Sequence, residues 1–239
     1  MALKTKTDYF GLASKGFEVT DTAENRAAGY VAEARGPDNF LVAADSGGEI
    51  VAPSCDYVVT GTATLGSVVI GSVSTILTKK VALGGISITT QAGQAPKMTA
   101  TGREIEANGT AHCKATLSGI SLSPLFHAQD FGLFTVSNGQ LQQSTLEISG
   151  DIATAMVDGV VKASDLVGAA VSVSGTIVGV DASGAIKTPT VTLKTPTGNV
   201  LQGVLTQPLT ETNPNGEYPT YTFTATFGIK ADEADASGS

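Results

Sequence analysis

Thr220-Tyr221-Thr222-Phe223-Thr224-Ala225-Thr226-Phe227 alternates a threonine with an aromatic or small apolar residue. A repeat of two puts Tyr221, Phe223 and Phe227 on one face of an extended chain and the threonines on the other, the pattern of a half-buried β-strand. The alternation recurs in Tyr57-Val58-Val59-Thr60-Gly61-Thr62-Ala63-Thr64-Leu65, Gly85-Ile86-Ser87-Ile88-Thr89-Thr90, Ala170-Val171-Ser172-Val173-Ser174-Gly175-Thr176-Ile177-Val178 and Thr190-Val191-Thr192-Leu193-Lys194. Thr, Val and Ile branch at Cβ and suit a pleated surface. Asn108-Gly109, Asn138-Gly139 and Asn215-Gly216 offer the positive φ of tight turns between such strands. The expected fold class is mainly β, two tandem β-sandwich or barrel-like domains with one or two short helices and an N-terminal hairpin arm.

The helices are expected at two places. Ser123-Pro124 pairs a capping side chain with a proline suited to the first helical position, and Leu125, Phe126, Ala128 and Gln129 follow before Gly132, so the first covers residues 123–131. The second, Ala163-Ser164-Asp165-Leu166-Val167, stops at Gly168. In the arm, residues 30–44 read as a hairpin around Arg35-Gly36-Pro37-Asp38-Asn39; a competing reading makes residues 22–34 a helix.

The chain also repeats itself. Residues 54–64 resemble residues 143–153, and Ala95-Pro96-Lys97-Met98-Thr99-Ala100-Thr101 resembles Tyr218-Pro219-Thr220-Tyr221-Thr222-Phe223-Thr224. The expected organisation is an arm over 1–49, a first β domain over 50–137, a second over 138–230 and a flexible acidic tail over 231–239.

Composition narrows the function. The 239 residues carry 14 Lys and Arg against 22 Asp and Glu, a net charge of −8, which repels a phosphate backbone and argues against sequence-specific nucleic-acid binding. Charged residues are only 15% of the chain, so much of its surface is Ser, Thr and Gly or is covered by partners. No apolar run reaches the length of a membrane span, and none behind Met1 reads as a signal peptide. Cys55 and Cys113 are expected as reduced, buried thiols.

No catalytic, cofactor or metal site is expected. Asp45-Ser46-Gly47-Gly48 echoes a serine-protease nucleophile loop, but His112 and His127 both follow it, and the residues read as a plain turn. His112, Cys113, His127 and Cys55 match no zinc spacing, and neighbouring strand residues point to opposite faces. Asp130 near His127 reads as a solvated pair at a helix end. There is no phosphate loop or dinucleotide fingerprint, and Trp is absent, which leaves few platforms for carbohydrate.

The duplicated β domains, the short helix over 123–131, the hairpin arm and the Asn213-Pro214-Asn215-Gly216-Glu217-Tyr218-Pro219 approach to the final Thr/aromatic strand resemble the organisation of bacteriophage virion proteins, in particular tail-tube proteins. That resemblance implies a self-assembling structural protein, not an enzyme, found in the virion after synthesis in the host cytoplasm. It implies homo-oligomeric stacked rings, hexameric or, for a duplicated chain, trimeric. Other virion proteins would be partners, DNA would be a non-specific passenger in the lumen, and neither membrane nor cofactor would take part. Tyr30, Val31, Phe40 and Leu41 are then the expected apolar anchors to a neighbouring subunit. Capsid decoration, head–tail connection, and a β-rich surface or carbohydrate-binding module are the alternatives; an enzyme using Ser46 is the remaining one.

Overall fold

The computed structural model describes residues 6–109, 114–116, 120–179, 188–194, 203–213 and 217–229, with the side chains of residues 29, 30, 64 and 67 excepted. The protein is mainly β, as the alternation implies. Its strands are β1 (Phe17–Arg35), β2 (Leu41–Val59), β3 (Ala63–Thr64), β4 (Val69–Ile70), β5 (Val73–Ile76), β6 (Lys79–Gln91), β7 (Lys97–Glu104) and β8 (Ala115–Thr116). They continue with β9 (Ser121–Leu122), β10 (Phe134–Ser137), β11 (Gly139–Val157), β12 (Val160–Gly179), β13 (Thr190–Leu193), β14 (Val204–Thr212) and β15 (Thr220–Ile229).

One antiparallel sheet dominates, in the order β1-β2-β7-β6-β11-β12-β15-β14, with β5 beside the start of β6. The ladders β3-β9, β4-β8 and β10-β13 are short and separate. Their buried residues, among them Ala63, Ile70, Ala115, Leu122 and Phe134, join Tyr57, Ile88, Met98, Leu146, Val173, Tyr221, Phe223 and Phe227 of the large sheet in one hydrophobic cluster. One face of the sheet is therefore covered. Phe134 meets Phe223 edge to face, ring centroids 5.1 Å apart. The opposite face carries Ser87, Thr89, Thr145, Ser172, Ser174, Thr176, Thr224 and Thr226, all half-buried.

The two halves have the same plan. In each, a long hairpin (β1-β2, β11-β12) is followed by a shorter one (β6-β7, β14-β15) whose last strand pairs with the second strand of the long one. Lys97 lies opposite Val58, and its counterpart Thr220 lies opposite Val178. Two of the irregularities match too. β1 slips against β2 between Val19 and Asp21, as β11 slips against β12 between Leu141 and Gln143. β6 slips between Leu83 and Gly85, as β14 slips between Leu205 and Gln207. Shared Thr-rich composition does not place bulges at matching registers, so the likeness is one of structure. The match of residues 96–101 with 219–224 is the structural one. The match of 54–64 with 143–153 is corrected, because β2 corresponds to β12 and not to β11.

The expected boundary at residues 49 and 50 falls inside a strand, whereas the one at residues 137 and 138 falls at the junction of β10 and β11, where the second half begins. β2 runs through residues 49 and 50, and β6 of the first half pairs with β11 of the second from Gln91 opposite Gln143 to Gly85 opposite Ser149. The hairpin around residues 35–39 is present but far longer than residues 30–44, since β1 and β2 pair from Arg35 opposite Leu41 back to Phe17 opposite Val59. Strand pairing likewise replaces the helix considered for residues 22–34.

Neither expected helix forms; the only helical residues described are single 3₁₀ turns at Ala13–Lys15 and Leu65–Ser67. Around residue 123 tertiary hydrogen bonds displace it. The Gln129 side chain accepts from the Ser123 N–H (3.0 Å) and donates to its carbonyl (2.8 Å), the Gln129 N–H donates to Thr90 Oγ1 (2.8 Å) and its carbonyl accepts from Ser144 Oγ (2.6 Å). Groups a helix would use internally are thus bound to β6 and β11. Residues 163–167 lie in β12 opposite β11, with Ser164 and Leu166 buried, because two helical turns alone cannot offset the cost of nucleation. The tail over 231–239 lies outside the described residues.

Phe223 is fully buried and touches both the sheet core and the β10 ladder through Phe134. Phe223→Ala should therefore lower the unfolding free energy by about 3–5 kcal/mol, read as a lower denaturant midpoint at unchanged slope.

Candidate assembly edges

Both long hairpins outrun the sheet that anchors them. β2 leaves β7 beyond Ser54 opposite Thr101, and there Glu104 Oε2 accepts the Val51 N–H (2.9 Å) while Glu104 Oε1 binds Lys79 Nζ (2.8 Å). Glu104 is nearly buried, and this pair of bonds satisfies its charge at the point where β2 loses its neighbour. β12 similarly meets β15 only from Ala169 onward. Beyond these points each hairpin is a two-stranded arm.

The arms touch at the tip of the second. Asp158 and Gly159 form the tip of the second arm, both with positive φ (51° and 72°), the conformation of a tight two-residue hairpin turn. This tip lies on the first arm at Gly48, where an added Cβ would stand 2.2 Å from the Gly159 carbonyl oxygen. Gly48 also has a φ of 69°, so glycine is required there by both backbone and neighbour.

The expected interface residues lie on the first arm. Val31 is 66% exposed, Phe40 74% and Leu41 52%, and Val42 at 66% joins them; Tyr30 stands in β1 opposite Gly47. Exposed apolar side chains gathered on one arm need a partner surface more than scattered ones do. Sequence reading missed the second arm, which carries Met156, Val157, Val160 and Val167 exposed. The Val-Asp-Gly-Val sequence at 157–160 was the available signal, a type I′ hairpin turn flanked by β-branched residues.

The outer edges of the sheet are β1 and β14, each hydrogen-bonded on one side only among the described residues. An N-terminal segment braces β1 from the covered face. Tyr57 Oη donates to Asp8 Oδ1 (2.8 Å), the Ala13 N–H donates to Asp8 Oδ2 (2.8 Å), Tyr9 Oη donates to Glu24 on β1, and buried Cys55 Sγ donates weakly to the Thr7 carbonyl (3.6 Å). Burial alone would raise the Asp8 pKa, but the bonds from Ala13, Tyr57, Leu12 and Phe10 outweigh it and hold it below the ordinary value. Burial, followed by the bond to and the charge of Glu24, pushes the Tyr9 hydroxyl up to about 12.

Asp45-Ser46-Gly47-Gly48 is not a turn but part of β2, with Ser46 opposite Val31. The long pairing of the arm, not visible locally, overrides its turn-like composition. His127 and Asp130 line an open hollow of 480 Å³ beside Ser123 and Gln129. Asp130 Oδ1 there accepts the Gly132 N–H (2.9 Å), so it closes a turn and stands at no helix end. His112 and Cys113 lie outside the described residues, and among the described ones no three His, Cys, Asp or Glu side chains are grouped to hold a metal. No described helix is long and apolar enough to cross a membrane.

No family model matches the sequence, and no curated protein matches it.

The brace predicts a pH window. A depressed Asp8 pKa contributes stability that is present above the unfolded value and is lost as pH falls through the folded one; the raised Tyr9 pKa contributes stability present below 10.0 and lost as pH rises through about 12. Protection of the amides of residues 8–13 against exchange, relative to an unstructured chain at the same pH, should accordingly be greatest near neutrality and fall toward both limits, and Tyr57→Phe should lower it at neutral pH by removing one bond to the Asp8 carboxylate.

Proposed function

We propose that this protein is a structural subunit that joins copies of itself through β14 and β1 into closed rings, the rings of a phage tail tube. The observation that carries the reading is the joint between the two halves. Within one chain, the third strand of the first unit (β6) pairs with the first strand of the second unit (β11). The third strand of the second unit is β14 and the first strand of the first unit is β1, so the sheet is bounded by the two components of the same joint, each with one side unpaired among the described residues.

An exposed strand edge is a template for pairing, and two different complementary edges give a head-to-tail contact that either closes into a ring or runs on as a filament. With two units per chain, three chains would give a ring of six units. That matches the trimeric, pseudo-sixfold arrangement implied for a duplicated tail-tube protein. The uncovered face of the sheet, rich in Ser and Thr, and the net charge of −8 suit a conduit through which DNA slides without being held. The exposed arms supply apolar surface for contacts beyond the sheet edge.

The intrachain joint also supplies a register. Thr89 faces Thr145 across it, hydroxyl oxygens 3.5 Å apart. Thr212 occupies the place of Thr89, since it lies opposite Thr220 as Thr89 lies opposite Lys97. Ala23 occupies the place of Thr145, since it lies opposite Ser54 as Thr145 lies opposite Ser174. Thr212 of one copy should then face Ala23 of the next, and Thr210 should face Asn25. Pro208, which lacks an N–H, limits regular pairing to the stretch after it.

The test is mass by light scattering and negative-stain imaging over a concentration series, with Ala23→Cys/Thr212→Cys under mild oxidation. Rings or tubes with a central hole, and disulfide-linked multimers from the double variant but from neither single one, are expected. A mass of 24.1 kDa at every concentration together with no cross-link would overturn the reading.

A further inference from the structure

The contact between the arms follows the same plan as the joint between the sheets. The tip of the second arm sits on Gly48 of the first. The corresponding position on the second arm is Gly168: Gly48 lies ten residues before Val58, which faces Lys97, and Gly168 lies ten residues before Val178, which faces Thr220. The burial pattern agrees, with Val51 and Val171 buried at matching places after the two glycines. Yet an added Cβ at Gly168 meets nothing within 4 Å among the described residues. One seat is filled within the chain and its counterpart is open.

The tip that would fill it is also identifiable. Asn39 in the turn of the first arm has a φ of 62°, close to the 72° of Gly159, and it precedes Phe40 and Leu41 as Gly159 precedes Val160 and Val161. Asp38 and Asn39 at this tip are both exposed among the described residues. Phe40 at 74% exposed and Val42 at 66% stand beside the tip, and Val167 at 60% stands beside the open glycine. Apolar side chains therefore lie at both surfaces, where docking would remove them from water.

We propose that Gly168 is the seat for the Asp38-Asn39 tip of a second copy of this chain. This rests on the reading that copies join through β14 and β1, because that joint sets the next copy's first arm beside this copy's second arm. The seat adds a second, independent contact to each subunit boundary. It gives a role to a glycine beside which, among the described residues, a side chain would meet nothing. A side chain there would stand where the neighbouring tip must lie, as one at Gly48 would stand against Gly159.

The full-length chain carrying Asp38→Cys/Gly168→Cys tests the seat. Asp38 is preferred to Asn39, whose positive φ disfavours cysteine. Under mild oxidation the pair should give disulfide-linked multimers, and neither single variant should. Separately, Gly168→Phe should leave the monomer folded, since its surroundings are open, and should raise the concentration for half-assembly roughly tenfold. If Ala23→Cys/Thr212→Cys cross-links while Asp38→Cys/Gly168→Cys does not, and Gly168→Phe assembles as the unsubstituted chain does, the seat is overturned and the edge joint stands. If the tip pair cross-links and the edge pair does not, the seat stands and the edge register falls. Failure of both pairs in a chain that stays monomeric overturns the seat together with the assembly reading.

Discussion

The structure depends on one ladder of backbone hydrogen bonds, that between β6 and β11. It joins two four-stranded units into one sheet and brings Ile86 and Ile88 beside Ile148 and Leu146, so the core of one half is continuous with that of the other. Two side chains and the backbone of Gln129 reinforce it on the covered side. Thr90 Oγ1 and Ser144 Oγ are 2.6 Å apart, and Gln129 binds both through its backbone, drawing the segment after Ser123 onto the joint. Each of these polar groups is buried or half-buried and each is satisfied, which is what allows them to sit at the edge of an apolar core.

The same ladder makes the ends of the sheet consequential. A four-stranded unit that pairs through its third and first strands leaves one of each open however many units are joined, until the array closes on itself. The described residues hold two units and leave the outer sides of β1 and β14 unpaired. The edges are not those of a sheet protected against pairing throughout: Pro208 and two slips interrupt β14, but Thr210–Thr212 pair regularly with β15 and present an orderly edge. β1 is longer and is braced from behind by the Asp8, Tyr9 and Tyr57 bonds, which hold its path without occupying its outer edge. Function on this reading is the completion of hydrogen bonding that one chain cannot complete alone.

Much of the architecture was legible in residue order. The alternation at Thr220 to Phe227 placed Tyr221, Phe223 and Phe227 in the core, where they are, and the Pro-Thr likeness between residues 96–101 and 219–224 pointed to the true duplication. The turn at residues 35–39 was visible because Gly, Pro, Asp and Asn each favour it for a local reason. Ser123-Pro124 and residues 163–167 misled for the converse reason: their local helical signals are worth little against hydrogen bonds to β6 and burial along β12. The first repeat match failed because strands with the same alternation look alike whichever partner they take.

The amino-acid sequence by itself determined that this is a β protein with an aromatic inner face, a hydroxyl-rich opposite face and a turn within an N-terminal hairpin. These follow from side-chain period and turn chemistry, which act over a few residues. Only the tertiary structure decided that β2 corresponds to β12, that the halves meet through β6 and β11, that β1 and β14 remain as edges, and that Gly48 is covered while Gly168 is open. Those depend on strand partners distant in the chain, and a strand's own sequence specifies which of its faces is buried far more strongly than which neighbour it chooses.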